Sequence, residues 1–223
     1  ENALKILNSD NPREVLDSFH FYDRYIGLIN NESKLAKFNE EKTFLFLGSG
    51  PLPLTLIMFN EVFGCKCIGI EQQEDVAQLS RKVLKKLNLD DDIKIVIGNE
   101  NTIADLDYDI LHINTIYPDS ISMIKQAREN NKKIIYHAHS TEEDFKNSFM
   151  FSNTFASLYK KWLVYLYNSA DVIITPTPYS KSLLESYDLN KEIHAISNGV
   201  DVAQFNPTSK QINEFTQQFH ISE

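Results

Sequence analysis

The sequence predicts a doubly wound α/β domain of the Rossmann-like kind, with helices on both faces of a parallel sheet. Three observations carry that expectation. Short apolar runs alternate with helical segments between residues 43 and 196. The runs are continuously apolar rather than apolar–polar alternations, as strands covered on both faces require. The chain has 223 residues, 42% of them hydrophobic and 11% aromatic, which suffices for the core of one large domain or two small ones.

The elements follow in order. Residues 1–40 read as a helical lead, in which Asn11 caps a turn begun by Pro12. From residue 13 to 29, Val15, Leu16, Phe19, Tyr22, Ile26 and Ile29 recur at helical spacing. Strands are expected at 43–47, 66–70, 93–97, 109–113, 133–136, 172–175 and 193–196. Helices are expected at 54–63, 75–87, 120–130, 141–168 and 180–187, with a short one after the third strand. Right-handed crossovers then make the sheet parallel.

Composition excludes several function classes. The net charge of −9 argues against nucleic acid or an anionic membrane as main partner, because each needs a basic footprint. A small-molecule ligand, even an anionic one, needs only a local nest of N–H groups. No run of eighteen apolar residues exists to span a membrane. The opening Glu1-Asn2-Ala3 has neither a basic n-region nor an apolar h-region, so secretion is not expected, and without an initial Met further residues are expected upstream. Cys65 and Cys67 lie on an expected strand and are read as facing opposite sides, so neither a disulfide nor a zinc pair is expected. A cytoplasmic location fits. Oligomeric state is not legible.

In such a sheet, ligands sit beyond the carboxyl ends of the strands. After the first strand comes Gly48-Ser49-Gly50-Pro51-Leu52-Pro53-Leu54-Thr55. Two glycines permit a tight turn and close backbone approach, and the following helix offers free N–H groups. Pro53 stands where a dinucleotide fingerprint needs its third glycine. Glu71 ends the second strand, where a carboxylate can accept hydrogen bonds from a ribose diol. Asn99 follows the third strand and is placed to meet an adenine amine; Asn114 follows the fourth. The plain alternative is that Gly48 and Gly50 are turn residues and Glu71 a solvated cap.

These residues carry a resemblance. Ser18-Phe19-His20-Phe21-Tyr22-Asp23-Arg24-Tyr25, the proline-rich glycine loop, and Ala77-Gln78-Leu79-Ser80-Arg81-Lys82-Val83 resemble nicotianamine synthases, the archaeal type in particular. Those enzymes have a methyltransferase-like fold and transfer the aminobutyryl group of S-adenosylmethionine (SAM). The resemblance implies that Gly48, Ser49, Gly50 and Glu71 contact SAM and that Tyr25 faces the reacting centre. Asn99 replaces the family's usual Asp, and the family's catalytic Glu aligns upstream of Glu1.

The second half carries a different pattern. His137-Ala138-His139-Ser140 follows the fifth strand. Two His at i and i+2 point the same way, yet no third ligand has a defined spacing to them, although Asp144 and His112 exist; no metal is expected. A His at a strand end is a general base or a hydrogen-bonded structural residue. Ser140, Thr141, Glu143 and Asp144 read as a helix cap. Asp109-Ile110-Leu111-His112-Ile113-Asn114-Thr115, Tyr136 to Phe145, Ile174 to Lys181 and Ile196-Ser197-Asn198-Gly199-Val200-Asp201 resemble the N-terminal domain of family 4 glycosyltransferases of the GT-B fold, especially those that glycosylate lipids. The resemblance implies that His139 sits near the acceptor hydroxyl and that the 198–201 motif closes the acceptor domain. That family's own glycine loop and its donor domain have no counterpart here.

Both families place the fourth strand beside the first, so a join near Asp109 preserves every crossover. The expected sheet therefore has seven parallel strands in the order 3-2-1-4-5-6-7. The chain reads as a chimera: a helical lead (1–40), a SAM-binding-like half (41–110), a glycosyltransferase-like half (111–205) and a C-terminal tail (206–223). Three functions remain open. They are SAM binding with residual aminobutyryl or methyl transfer, a sugar-transferase acceptor domain, and a folded hybrid without turnover. In the aromatic 141–168 helix, Trp162 and Tyr165 are expected in the core, as is Tyr22 earlier in the chain. Phe149-Met150-Phe151 is the one candidate for a weak membrane patch.

Overall fold

A computed structural model of the chain describes residues 1–19, 22–37, 39–114, 116, 120–146, 148, 150–197 and 208–209. Its centre is a seven-stranded sheet with strand order 3-2-1-4-5-6-7, parallel at every pairing. The strands are β1 (Thr43–Leu47), β2 (Lys66–Glu71), β3 (Ile93–Ile97), β4 (Ile110–Ile113), β5 (Lys133–His137), β6 (Val172–Thr175) and β7 (Ile193–Ala195). This is the expected doubly wound Rossmann-like fold. The seventh strand is parallel as well, pairing Ile173 with Ile193.

Strand alternation divides the core in two. On one face Phe44, Phe46, Cys67, Ile95, Ile110 and Ile135 pack against helices α3 (Tyr22–Ala36), α4 (Leu54–Phe63) and α5 (Glu74–Lys86). The short helices α1 (Asn2–Asn8) and α2 (Pro12–Asp17) add Ile6 and Leu16 to that side. On the other face Leu45, Ile70, Leu111, Ile113, Tyr136 and Ile173 pack against α6 (Ser120–Glu129), α8 (Ser152–Asn168) and α9 (Pro178–Glu185). Strands β1, β2, β4, β5 and β6 thus send alternate side chains into separate apolar layers, which accounts for their apolar runs.

The strand pairs are locked at their amino ends by one device used twice. Asp109 accepts the Thr43 N–H at 2.9 Å and donates its own N–H to the Thr43 carbonyl at 3.0 Å. Asp171 treats Ile134 in the same way, with both bonds at 2.8 Å. Each aspartate stands immediately before a strand and satisfies backbone groups of the first or second residue of its neighbour.

Four expectations are corrected. The periodic stretch 13–29 is two helices: α2 ends at Asp17, and Ser18 turns its N–H back to Glu14 and Leu16. The long helix over 141–168 is also two, α7 (Glu142–Phe145) and α8. Ser148 donates its hydroxyl to the Asp144 carbonyl and its N–H to Phe145, which closes the first helix as a tight turn. Phe151 then enters α8 with φ of 70°. Cys65 and Cys67 share a face, because residues two apart on an extended chain point the same way. Both are buried free thiols with their Sγ atoms 3.9 Å apart. Tyr165 is exposed rather than core, whereas Trp162 does pack against the second apolar layer. The Tyr22 side chain lies outside the described residues. Among the described residues no helix is long and apolar enough to cross a membrane.

Candidate functional site

The loop after β1 turns because its glycines adopt backbone angles that L side chains avoid. Gly48 has φ of 76° and Gly50 of 67°. The N–H groups of Gly48 and Ser49 both reach the Ile70 carbonyl, at 2.9 and 3.2 Å, so the loop folds over the end of β2. Gly69 permits this closeness: a Cβ there would lie 2.8 Å from the Ser49 Cβ and 2.7 Å from Leu56. Helix α4 then begins at Leu54, with Pro53 in the cap position and no side chain bonding its first N–H groups.

A cleft of about 230 Å³ opens between this loop and α3, lined by Tyr25, Phe46, Gly48, Ser49, Pro53 and Thr55 among others. Tyr25, Gly48 and Ser49 are therefore brought together around one space. The Ser49 hydroxyl is buried without a hydrogen-bond partner. Glu71 lies beside the loop: one carboxylate oxygen accepts the Gly50 N–H at 3.0 Å and the other the Gln73 N–H at 3.1 Å. Each oxygen retains a second lone pair for a further donor. Asn99 is exposed at the next strand end, its N–H on the Thr102 hydroxyl at 3.1 Å. Asn114 is half-buried after β4, with its side-chain oxygen unpartnered.

The strand ends of the second half meet the same wall. Phe46 and His112 are register neighbours on β1 and β4, and their rings stack at 5.5 Å. His112 contacts His137 edge-on at 6.1 Å, and His137 stacks on the exposed His139 at 4.2 Å. A row of rings thus runs from the cleft to His139. Burial, then the charges of His139 and His112, push the His137 pKa down to about 2, so this imidazole is neutral. His139 is lowered as well, by desolvation against its neighbours and by His112, with Glu32 pulling the other way.

Glu32 was missed in the sequence. It reaches this row from α3, with carboxylate oxygens 3.4 Å from His112 Nε2 and 3.6 Å from His137 Nδ1, all three side chains buried. Its position three residues after Ile29 and four after Leu28 puts a charge on the buried stripe of α3. That is the one feature from which it was detectable.

The expected cap is present. Thr141 accepts the Asp144 N–H while Asp144 accepts that of Thr141, a complete capping box. Glu143 accepts from the Tyr187 hydroxyl at 2.7 Å. Beside this cap lies an apolar groove of about 500 Å³ between α6, α7 and α8, lined by Ile121, Phe145, Phe155, Leu158, Tyr159 and Trp162. Met150 and Phe151 are exposed, at 79% and 70%; Phe149 and the 198–201 motif lie outside the described residues.

Comparisons with known proteins find two kinds of transferase. The processive diacylglycerol alpha-glucosyltransferase of Acholeplasma laidlawii is 35% identical over 127 residues, covering 56% of this chain and 37% of that enzyme. MtNAS, a nicotianamine synthase, has been crystallised as a mutant in complex with S-adenosylmethionine; it superposes with a TM-score of 0.55 at 34% identity, over 60% of this chain and 53% of that one. A second MtNAS crystal structure, with MTA and tNA, matches at the same score and identity over 52% of its length. The chain therefore spans about half of the synthase and little more than a third of the glucosyltransferase. The glycosyltransferase domain match runs over residues 75–204, more than half of the chain, and on that ground the chain belongs to Glycosyltransferase Family 4.

Proposed function

We propose that this chain is a transferase core that binds S-adenosylmethionine in the cleft of the 48–55 loop, with little or no turnover of its own. The observation that carries the reading is the loop itself: two left-handed glycines, an uncapped helix terminus, and Tyr25 facing the same cleft. The loop precedes the segment matched by the glycosyltransferase domain, and MtNAS holds the same cofactor. The cleft is smaller than the roughly 300 Å³ of ordinary ligand pockets. It therefore takes the methionine end near Tyr25, while the adenosine extends past Glu71 toward Asn99 and Asn114. Glu71 receives the ribose diol on lone pairs left free by Gly50 and Gln73. In this reading the chain joins a synthase-like half to a glycosyltransferase-like half at Asp109, where the clamp on Thr43 keeps β1 and β4 together.

Calorimetric titration with S-adenosylmethionine tests this. Saturable binding weakened roughly ten- to a hundredfold in Glu71→Ala is expected, the worth of hydrogen bonds to a charged acceptor. Absence of heat at millimolar ligand overturns it.

A second reading has its own observation. The apolar groove beside α8 suits the acyl part of a lipid acceptor. The Acholeplasma relative is named for action on diacylglycerol. Binding of diacylglycerol without S-adenosylmethionine would favour this alternative.

A further inference from the structure

We propose that Glu32, His112 and His137 form a binding site for a divalent transition metal of the zinc class. One ligand atom from each lies within 4.8 Å of the others, and all three residues are buried. The distances discriminate between a hydrogen-bonded cluster and a ligand set. A charge-assisted N–H···O bond is about 2.7–2.9 Å long. Two ligands of a tetrahedral zinc ion, each about 2.0–2.2 Å from the metal, stand roughly 3.3–3.5 Å apart. The observed separations are 3.4 Å from Glu32 Oε2 to His112 Nε2 and 3.6 Å from Glu32 Oε1 to His137 Nδ1, so each imidazole faces its own carboxylate oxygen. Neither nitrogen of His112 has a hydrogen-bond partner, nor has Nε2 of His137.

Electrostatics points the same way. A buried carboxylate needs a compensating charge or a metal. Among the described residues the ion-pair partners of Glu32 are these two imidazoles, which contribute charge only when protonated. A bound cation supplies that charge and takes up the unpartnered Nε2 of His112, the nitrogen that faces Glu32. Two His and one carboxylate oxygen leave a fourth position open; His139 stacks on His137.

The ligands come from α3, β4 and β5. Binding therefore ties a helix of the synthase-like half to two strands of the glycosyltransferase-like half. The site stands independently of S-adenosylmethionine.

The test uses untagged protein stripped with a chelator and titrated with Zn²⁺ and with Co²⁺ as a spectroscopic probe. One equivalent is expected to bind, with a d–d spectrum of nitrogen and oxygen ligation and no thiolate charge-transfer band. Zinc at a hundredfold excess over Kd is expected to raise Tm by roughly 5 °C. Glu32→Gln keeps the side-chain shape and is expected to fold while losing both the spectrum and the Tm shift. His112→Gln and His137→Gln are expected to lose them too; should either fail to fold, Glu32→Gln alone decides. Absence of binding, a thiolate spectrum from Cys65 and Cys67, or unchanged affinity in folded Glu32→Gln overturns the proposal.

Discussion

Asp109 accepts the backbone N–H of Thr43 at 2.9 Å across the β1–β4 pair. Lys42 approaches the other carboxylate oxygen at 3.3 Å. Burial alone would raise the Asp109 pKa; the Thr43 hydrogen bond and the charges of Lys42 and Lys132 outweigh it and hold the carboxyl below its ordinary value. A group depressed in the folded state stabilises above its unfolded pKa, and that contribution disappears as pH falls through the folded one. The window lies below about pH 4. Asp109→Asn is expected to cost about 1 kcal/mol at neutral pH, a part-exposed charge being screened, and to flatten the acid limb of a stability–pH curve from urea unfolding. An unchanged acid limb would contradict the assignment.

Two glycines separate conformational from steric cost. A Cβ at Gly50 meets nothing within 4 Å, so Gly50→Ala pays only for its left-handed backbone, about 1–2 kcal/mol. A Cβ at Gly69 would fall within 3 Å of Leu56, Ser49 and Ile95. Gly69→Ala is expected to cost up to about 3 kcal/mol and to displace Ser49, so it also impairs the loop. Denaturant midpoints of the two variants check the order; equal losses would sink the distinction.

The junction of α7 with α9 makes a third test. Tyr187 donates to Glu143, accepts the Glu142 N–H, and lies under the Lys160 ammonium at 4.2 Å. Tyr187→Phe strands a buried N–H and is expected to cost about 1–3 kcal/mol. Thr141→Ala removes the capping box at about 1 kcal/mol. Thermal melts of both variants read these values.

Trp162 is the single tryptophan of the chain and lines the apolar groove. Its fluorescence is expected to shift blue on adding diacylglycerol-containing vesicles, should the second functional reading hold. Leu158→Glu, at a position 65% exposed, is expected to abolish the shift without loss of fold. An unchanged spectrum in the wild type removes the groove as an acceptor site.

How much was legible follows from the range of each interaction. Strands could be placed because both faces are buried, which leaves an unbroken apolar run. The loop and the Thr141 cap could be placed because their chemistry is confined to a few consecutive residues. Helix breaks were not legible: Ser18 and Ser148 end helices through backbone and hydroxyl bonds that hydrophobic spacing does not encode. Cys65 and Cys67 were misjudged although strand periodicity already put them on one face. Tyr165 lies on α8 away from the sheet, and only the packing of that helix shows which ring is left outside. Glu32 meets its histidines from a residue separation no motif spans; a charge on a buried stripe was its single trace.

The most direct measurement is a crystal structure of the chain with S-adenosylmethionine. The methionine end is expected in the 48–55 cleft beside Tyr25, with the ribose diol on Glu71. Ligand bound elsewhere, or absent from a lattice that leaves the cleft open, would contradict it.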